Sequence, residues 1–131
     1  MKVYVTNATK KLKGNIILDD VNLELHGGCV YGVQGPNGSG KTMLMRLIAG
    51  LIKPTSGAVY IEKQKIGRDI DFPESLGLLI ENPGFLPEYT GLRNLTLLAD
   101  IKGCICEDQV RNTMLDVGLN PDDKRIYRKY L

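Results

Sequence analysis

The sequence contains the stretch Gly35-Pro36-Asn37-Gly38-Ser39-Gly40-Lys41-Thr42, which matches the phosphate-binding loop pattern G-x-x-x-x-G-K-[ST] at every specified position. Residues 29–34, just before it, are apolar enough for a buried strand, and residues 43–49, just after it, are good helix formers. The strand–loop–helix setting that such a loop requires is therefore predicted. A glycine-rich turn that only caps a helix is the alternative, and this setting disfavours it.

The residue types in the loop suit the binding of phosphate groups. Glycine has no Cβ, so the chain can adopt positive φ and bring successive N–H groups toward one anion. The following helix adds the positive end of its dipole. Lys41 can reach the outer phosphates of a nucleotide, and the Thr42 hydroxyl can ligate the Mg²⁺ that bridges two of them. All eight residues are thus predicted to bind nucleotide, with Thr42 also a metal ligand: Gly35, Pro36, Asn37, Gly38, Ser39, Gly40, Lys41 and Thr42.

Length and composition are those of one globular domain. The chain has 131 residues, of which 43% are hydrophobic and 24% charged, enough for a real core. Its net charge is +2, and no basic run exceeds two residues, so no nucleic-acid partner is predicted. No apolar run approaches the roughly 18 residues that span a bilayer, and no signal peptide is recognisable, so we expect a cytosolic chain. The spacing Cys104-x-Cys106 does not fit a zinc site, so the three cysteines are expected to be free thiols.

Apolar periodicity predicts the elements around the loop. Alternating residues favour strands at 2–6 and 20–26, separated by a turn at 13–15, and a further strand at 58–61 before a hairpin or loop at 62–69. A buried strand is predicted at 75–80. Three helices are predicted, and each should bury one apolar stripe. In the helix after the loop the stripe is Leu44, Leu47, Ile48 and Leu51. The second helix runs from Gly91 to about Ile101, is capped by Thr90 and should bury Leu92, Leu95 and Leu98-Ala99, and the third, at 107–117, should bury Val110, Thr113, Met114 and Val117. The charged tail from Asn120 to Leu131 is expected to have no buried face.

The loop is followed by Leu44, Leu47, Ala49-Gly50-Leu51 and Pro54-Thr55-Ser56-Gly57 and preceded by Leu18-Asp19-Asp20-Val21. Together these residues resemble the nucleotide-binding domain of ATP-binding cassette (ABC) transporters. The segment from Pro83 through Thr90-Gly91 to Asn94-Leu95 is similar to the part that in this family follows the Q-loop and faces the membrane-spanning subunit. Within it, Ile80-Glu81-Asn82-Pro83-Gly84-Phe85-Leu86-Pro87 most resembles bacterial antimicrobial-peptide exporters of the bacitracin and lantibiotic type.

The resemblance implies an α/β fold, a P-loop NTPase of the ABC ATPase type. Its mixed sheet would carry an antiparallel β layer, and the chain would form a single partial domain over residues 1–131. Residues 1–82 would hold the β layer and the phosphate-loop core, and residues 83–131 the start of a helical subdomain. ATP and Mg²⁺ are the implied ligands. A membrane-spanning subunit is the implied partner, contacted from Pro83 to Thr90, and would hold the full-length protein at the inner face of the cell membrane.

Two residues depart from the family's pattern. Leu12 stands where an aromatic residue stacks on the adenine, so it would contact the base by dispersion without the stacking term of about 0.5–1.5 kcal/mol. Glu81 stands where a glutamine contacts Mg²⁺ and the attacking water. A carboxylate can ligate Mg²⁺, so Glu81 is a predicted metal ligand, with a surface carboxylate at a strand end as the alternative.

The family's later motifs are not found in these 131 residues: the signature, the apolar strand ending in Asp-Glu, and the switch histidine. The run Leu97-Leu98-Ala99-Asp100 mimics the apolar strand, but Ile101 follows it, and the spacing fits the second helix. We therefore expect Mg-ATP binding without hydrolysis in this chain and ATPase activity in the full-length subunit. A non-catalytic nucleotide-binding or regulatory module and a soluble ABC protein not tied to transport stay open as alternatives. Apolar strand edges without partners predict a homodimer or other self-association.

Overall fold

Two long strands joined by a tight hairpin form one half of the four-stranded sheet. The structure, a computed structural model, describes residues 1–130. Strand β1 is Lys2–Leu12 and β2 is Asn15–His26, and the turn between them places Lys13 at φ 49° and Gly14 at φ 79°. Positive φ at both positions is the geometry of the two-residue turn that matches the twist of a hairpin. The predicted turn is confirmed, and both strands are longer than predicted.

The sheet is antiparallel throughout and has the strand order β2-β1-β3-β4. Strand β3 is Ser56–Ile61 and pairs with β1, and the short β4, Gln64–Lys65, closes the hairpin predicted between residues 62 and 69. The chain divides into two compact units, Met1–Ile80 and a second that begins at Glu81. The sheet and the phosphate loop belong to the first unit.

Facing bulges interrupt the β1–β2 pair. Asn7 and Asp20 both adopt left-handed backbone conformations, with φ of 45° and 46°, where the register of the two strands shifts. The Asn7 side-chain amide donates to Asp20 Oδ1 at 2.8 Å, and the Asn7 backbone N–H donates to the Asn22 side chain at 2.8 Å. On the other side of β1, Gly57 lies so close to the Asn7 carbonyl that a Cβ at this position would collide with it. Bulges of this kind bend a strand and increase its twist.

Helix α1, Lys41–Ile48, packs on the sheet and completes the core of the first unit. Leu44 and Leu47 are buried against side chains of three strands: Val3, Val5, Ala8, Leu18 and Val59. Burying a side chain of this size contributes about 1.5–3 kcal/mol. The prediction that Leu51 belongs to the stripe is wrong, since Leu51 lies beyond the helix and is 53% exposed.

The end of α1 explains that error. Gly50 adopts φ 78°, its N–H bonds the Leu47 carbonyl at 3.1 Å, and the Leu51 N–H bonds the Arg46 carbonyl at 2.9 Å. This pair of bonds is the Schellman motif, which reverses the chain at a glycine. The chain therefore leaves the helix axis one residue before the stripe would reach Leu51.

The strands predicted at residues 29–34 and 75–80 do not form. Neither segment has regular secondary structure, and their apolar residues are largely exposed, with Val30 and Leu79 the most open. A strand needs hydrogen bonds from a neighbour, and no strand among residues 1–130 pairs with either segment. Apolar composition led to a prediction of buried strands, but composition alone does not provide a pairing partner.

The second unit contains two helices, α2 at Gly91–Lys102 and α3 at Glu107–Asp116, followed by a 3-10 turn at Tyr127–Tyr130. Thr90 caps α2 as predicted, since its Oγ1 accepts from the Arg93 N–H at 3.2 Å. Residues 97–100 lie in α2, which confirms that they are not a strand.

The buried faces of these helices differ in part from the predicted stripes. Val110 and Met114 are buried in α3, but Thr113 and Val117 are exposed, and in α2 Leu98 is exposed while Asn94 is buried. The predicted stripe of α3 is therefore wrong at two positions, and that of α2 includes one exposed residue and omits one buried residue. The tail does bury a residue, Pro121, contrary to expectation, and Leu131 lies outside the described residues.

Candidate nucleotide-binding site

The loop from Gly35 to Gly40 turns sharply into α1. Gly38 and Gly40 adopt φ of 81° and 91°, so both use the conformations that glycine permits. The Ser39 N–H bonds the Pro36 carbonyl at 3.2 Å, and the Leu44 N–H bonds the Gly40 carbonyl at 2.9 Å. Gly40 is the N-cap of α1 and has no side chain to accept from the first N–H groups, so these remain available to an anion.

Gly35 contributes space rather than an unusual backbone angle. A Cβ on this residue would lie 2.6 Å from Ser39 Oγ, so any larger residue would displace the serine side chain. A Cβ on Gly40 would lie 2.7 Å from the carbonyl oxygen of Ile17 in β2 and 2.9 Å from a Leu18 methyl group. The loop therefore packs directly on the hairpin, and Gly40 makes that close contact possible.

The Lys41 ammonium lies within the loop. Its Nζ donates to the carbonyl oxygens of Gly35 and Pro36, the latter at 2.8 Å, and lies 3.5 Å from Ser39 Oγ. Three loop oxygens thus surround one cation. The side chain that the sequence predicted to bind phosphate points into the loop, so the positive charge is in place beside the N-terminus of α1.

A cavity of about 300 Å³ opens beside the loop. Six of the eight predicted residues line it, together with one residue from β2 and one from α1: Asn37, Gly38, Ser39, Gly40, Lys41, Thr42, Ile17 and Met43. An ammonium, two hydroxyls and glycine-rich backbone therefore share one concave surface with two apolar residues. This donor set suits a phosphate chain with a bound divalent cation, and the apolar side chains suit the rest of a nucleotide.

Sequence reasoning missed Ile17. Residue type gave no signal, since an isoleucine in a strand is normally core. The alternation of β2 gave no signal either, because the Ile17 atom that meets the loop at Gly40 is its backbone carbonyl oxygen.

Leu12 and Glu81 lie outside this cavity. Leu12 ends β1, pairs with Asn15 across the hairpin turn and is 41% exposed. Its contact with a base stays a prediction. Glu81 opens the second unit, is exposed and adopts φ 56°, a conformation uncommon for a residue with a side chain. Its role as a metal ligand stays a prediction. Residues 1–130 contain no cluster of three or more His, Cys, Asp and Glu side chains that could hold a metal ion.

The loop, the helix and the sheet define a nucleotide-binding domain of the P-loop class. The family model described as ABC transporter matches residues 18–131. The chain belongs to the ABC transporter family, which confirms the identification made from its motifs, and ATP-binding domains of this family bind ATP, usually with Mg²⁺.

Individual relatives agree with this assignment. The chain is 42% identical to the uncharacterized ABC transporter ATP-binding protein YybJ of Bacillus subtilis, over 89% of this chain and 54% of the relative. It is 32% identical to the bacitracin transport ATP-binding protein BcrA of Enterococcus faecalis, over 98% of this chain and 42% of the relative. The chain spans about half the length of the curated relatives it matches.

A solved structure gives the same fold. The ATP-binding cassette MJ0796, in a dimeric post-hydrolysis state bound to ADP and Pi, superimposes with a TM-score of 0.67 at 29% identity, over 87% of this chain and 54% of that one. The ABC ATPase type of P-loop fold is thereby confirmed. Among residues 1–130, every helix is too short or too polar to cross a membrane.

Proposed function

We propose that this chain is the ATP-binding part of an ABC transporter ATPase that, in full length, couples ATP hydrolysis to membrane transport, in the direction of export. The observation that carries the proposal is the Lys41 ammonium, held inside a glycine loop at the N-terminus of α1. The name of the bacitracin transport relative supports transport over a soluble ABC protein.

The residues present fit Mg-ATP. Loop N–H groups and Lys41 would hold the phosphates, and phosphate oxygens would compete with the Gly35 and Pro36 carbonyls for the ammonium. Thr42 would hold Mg²⁺ through its hydroxyl, with Glu81 as a second proposed ligand. Bound Mg²⁺ supplies charge neutralisation for the phosphates. Ile17 and Leu12 would contact the base by dispersion alone, so we expect weaker base discrimination than stacking would give.

Binding is the step that the residues of the cavity can perform. Phosphoryl transfer to water also needs a residue that orients the water, and no side chain of the cavity is a candidate for that role. We therefore propose that this polypeptide holds Mg-ATP without turning it over. A non-catalytic nucleotide-binding or regulatory module is the second candidate, and it makes the same prediction for binding.

The partners follow from the same family membership. We propose that the segment from Pro83 to Thr90 contacts a membrane-spanning subunit, which would place the full-length protein at the inner face of the membrane. Self-association is supported by the dimeric solved relative and by the exposed apolar segments at 29–34 and 75–80.

Titration calorimetry with Mg-ATP tests the site. Lys41→Ala removes a charge-assisted interaction of about 1.5–3 kcal/mol, so affinity should fall by about 10- to 150-fold. Lys63→Ala is the matched control, because Lys63 is an exposed lysine in the β3–β4 turn, and it should leave affinity unchanged. Equal affinity in wild type and Lys41→Ala, with circular dichroism showing both folded, would remove Lys41 from the site.

A further inference from the structure

Asn94 is a buried polar residue inside α2, with 4% of its surface exposed. Its Oδ1 accepts from the Leu86 N–H at 2.7 Å, and its Nδ2 lies within bonding distance of the carbonyls of Leu86, Tyr89 and Thr90, at 3.0, 3.3 and 3.2 Å. One amide group thus holds both ends of the loop formed by residues 85–89, which we call the docking loop. No buried side-chain nitrogen or oxygen in the described part of the chain lacks a partner.

The docking loop is held from a second direction by the chain that follows α3. The Tyr127 N–H donates to the Tyr89 carbonyl at 2.8 Å, and the Arg128 N–H donates to the Pro87 carbonyl at 3.1 Å. The rings of Phe85 and Tyr127 meet edge to face, with centroids 5.2 Å apart. The backbone of the docking loop is therefore fixed between a side chain of α2 and the 3-10 turn.

Two apolar side chains project from this fixed backbone. Leu86 is 48% exposed and Tyr89 is 41% exposed, and the Arg93 guanidinium lies 5.8 Å from the Tyr89 ring centroid, within the range of a cation–π contact. An exposed aromatic residue beside an arginine is the composition found at the energetic centres of protein interfaces. A loop ordered in advance also binds without the entropic cost of ordering itself.

Helix capping does not explain Asn94. Thr90 already caps α2, and Asn94 is the fourth residue of the helix, where asparagine has a lower helix propensity than leucine and where an unbonded buried amide is costly. The polar side chain is stabilised there by its bonds to the docking loop.

We propose that Asn94 is a positioning residue that keeps the docking loop preformed for the membrane-spanning partner. The docking half of this proposal rests on the proposed function; the ordering half does not. Leu86 and Tyr89 are the side chains that the partner would contact.

Asn94→Asp separates the two halves. The carboxylate would face three carbonyl oxygens without a proton to donate, so the loop should open at pH 7.5, and the Tyr127 and Arg128 amides should exchange with solvent at least about tenfold faster than in wild type. Burial raises the pKa of a carboxyl group, and the protonated form can again donate. Amide protection and the contact between the Phe85 and Tyr127 rings, measured by NMR, should therefore return as the pH is lowered.

Thr96→Val is the matched control, because the Thr96 hydroxyl donates to the Leu92 carbonyl inside α2 and does not contact the docking loop, so Tyr127 and Arg128 should stay protected. Unchanged exchange at these two amides in Asn94→Asp would overturn the ordering role. So would equal loss of protection along all of α2 and α3, since it would mean that Asn94 only stabilises the unit. Should Asn94→Asp not fold, Asn94→Ala removes the same side-chain bonds without adding a charge and must give the same selective loss.

Docking is measured with inverted membrane vesicles of the producing organism. Wild type and Thr96→Val should co-sediment with the vesicles, and Asn94→Asp should bind less at pH 7.5 while its Mg-ATP affinity stays that of wild type. Vesicle binding that is equal in wild type and Asn94→Asp, with the loop open, would refute the docking role. Absence of binding by wild type would refute docking by this segment in the proposed function, and the exchange data would still decide the ordering role.

Discussion

The chain contains two loops that lead into helices, and they are held by different means. The phosphate loop has glycine at the N-cap of α1, so the first N–H groups of that helix have no side-chain acceptor. The docking loop leads into α2, where the Thr90 hydroxyl accepts from the Arg93 N–H and Asn94 fixes the loop itself. Glycines therefore shape the phosphate loop and leave its N–H groups open to an anion. Side-chain hydrogen bonds shape the docking loop, so its polar groups find their partners within the protein.

The largest effect should come from filling the space that the phosphate loop needs. Gly40→Ala forces an alanine into the left-handed conformation, which should lower the free energy of unfolding by about 1–2 kcal/mol. The new Cβ also lies against the Ile17 carbonyl, which should lower it by about 1–3 kcal/mol more. Urea denaturation should show the summed loss, and calorimetry should show Mg-ATP affinity lowered by about tenfold or more.

Gly38→Ala is the control for that variant. Gly38 has the same type of positive φ, but no atom lies within 4 Å of the position that the alanine methyl group would take, so only the backbone cost of about 1–2 kcal/mol is expected. Equal losses in the two variants would mean that close packing on β2 is not what the loop depends on.

A smaller effect is expected at the cap of α2. Thr90→Ala removes the acceptor for the Arg93 N–H and should cost about 1 kcal/mol of unfolding free energy. Thr113→Ala, at an exposed position inside α3, should change stability by less than about 0.5 kcal/mol. A neutral Thr90→Ala would erase the difference between the capped helix and the open one.

The smallest effect should come from a turn that belongs to neither loop. Hydrogen bonds from Arg68, and then from the Lys65 backbone, lower the pKa of Asp69 from 3.8 to about 2. Because the folded pKa lies below the unfolded one, the ionised form favours folding; the contribution is present above about pH 4 and is lost as the pH falls toward 2. The side chain is open to solvent, so the effect is modest.

Asp69→Asn tests this by urea denaturation at several pH values between 5 and 2. Between pH 5 and 2 the free energy of unfolding should fall less in the variant than in wild type. Its Mg-ATP affinity at pH 7 should be unchanged. A decline identical to that of wild type would show that the Arg68–Asp69 pair does not contribute.

Local rules predicted much of the first unit. The motif spacing located the loop, alternation located β1 and β2, and Gly14, which adopts positive φ without steric cost, located the turn between them. Each of these depends on neighbours in sequence. The Thr90 cap was predictable for the same reason, because a threonine before a helical pattern is a short-range signal.

Features that depend on distant neighbours could not be predicted in this way. The apolar pattern of residues 29–34 predicted a strand, but no strand forms there. Strand pairing depends on two segments, and the pattern of one segment gives no information about its partner. Ile17 belongs to the site because the hairpin brings its carbonyl to Gly40, and Asn94 is buried because the docking loop folds back over α2. Residue type points the other way in both cases, since isoleucine suggests core and asparagine suggests surface.

The facing bulges of β1 and β2 fix the alignment of the hairpin against sliding. A shift of one residue would exchange the faces of β2, so that Leu18 would leave the core and Ile17 would enter it. The bond between Asn7 and Asp20, with Gly57 fitted to the Asn7 carbonyl, exists in a single alignment of the three strands. Misaligned pairings formed early in folding would lack these contacts, so the bulges select the one alignment in which the Ile17 carbonyl meets Gly40.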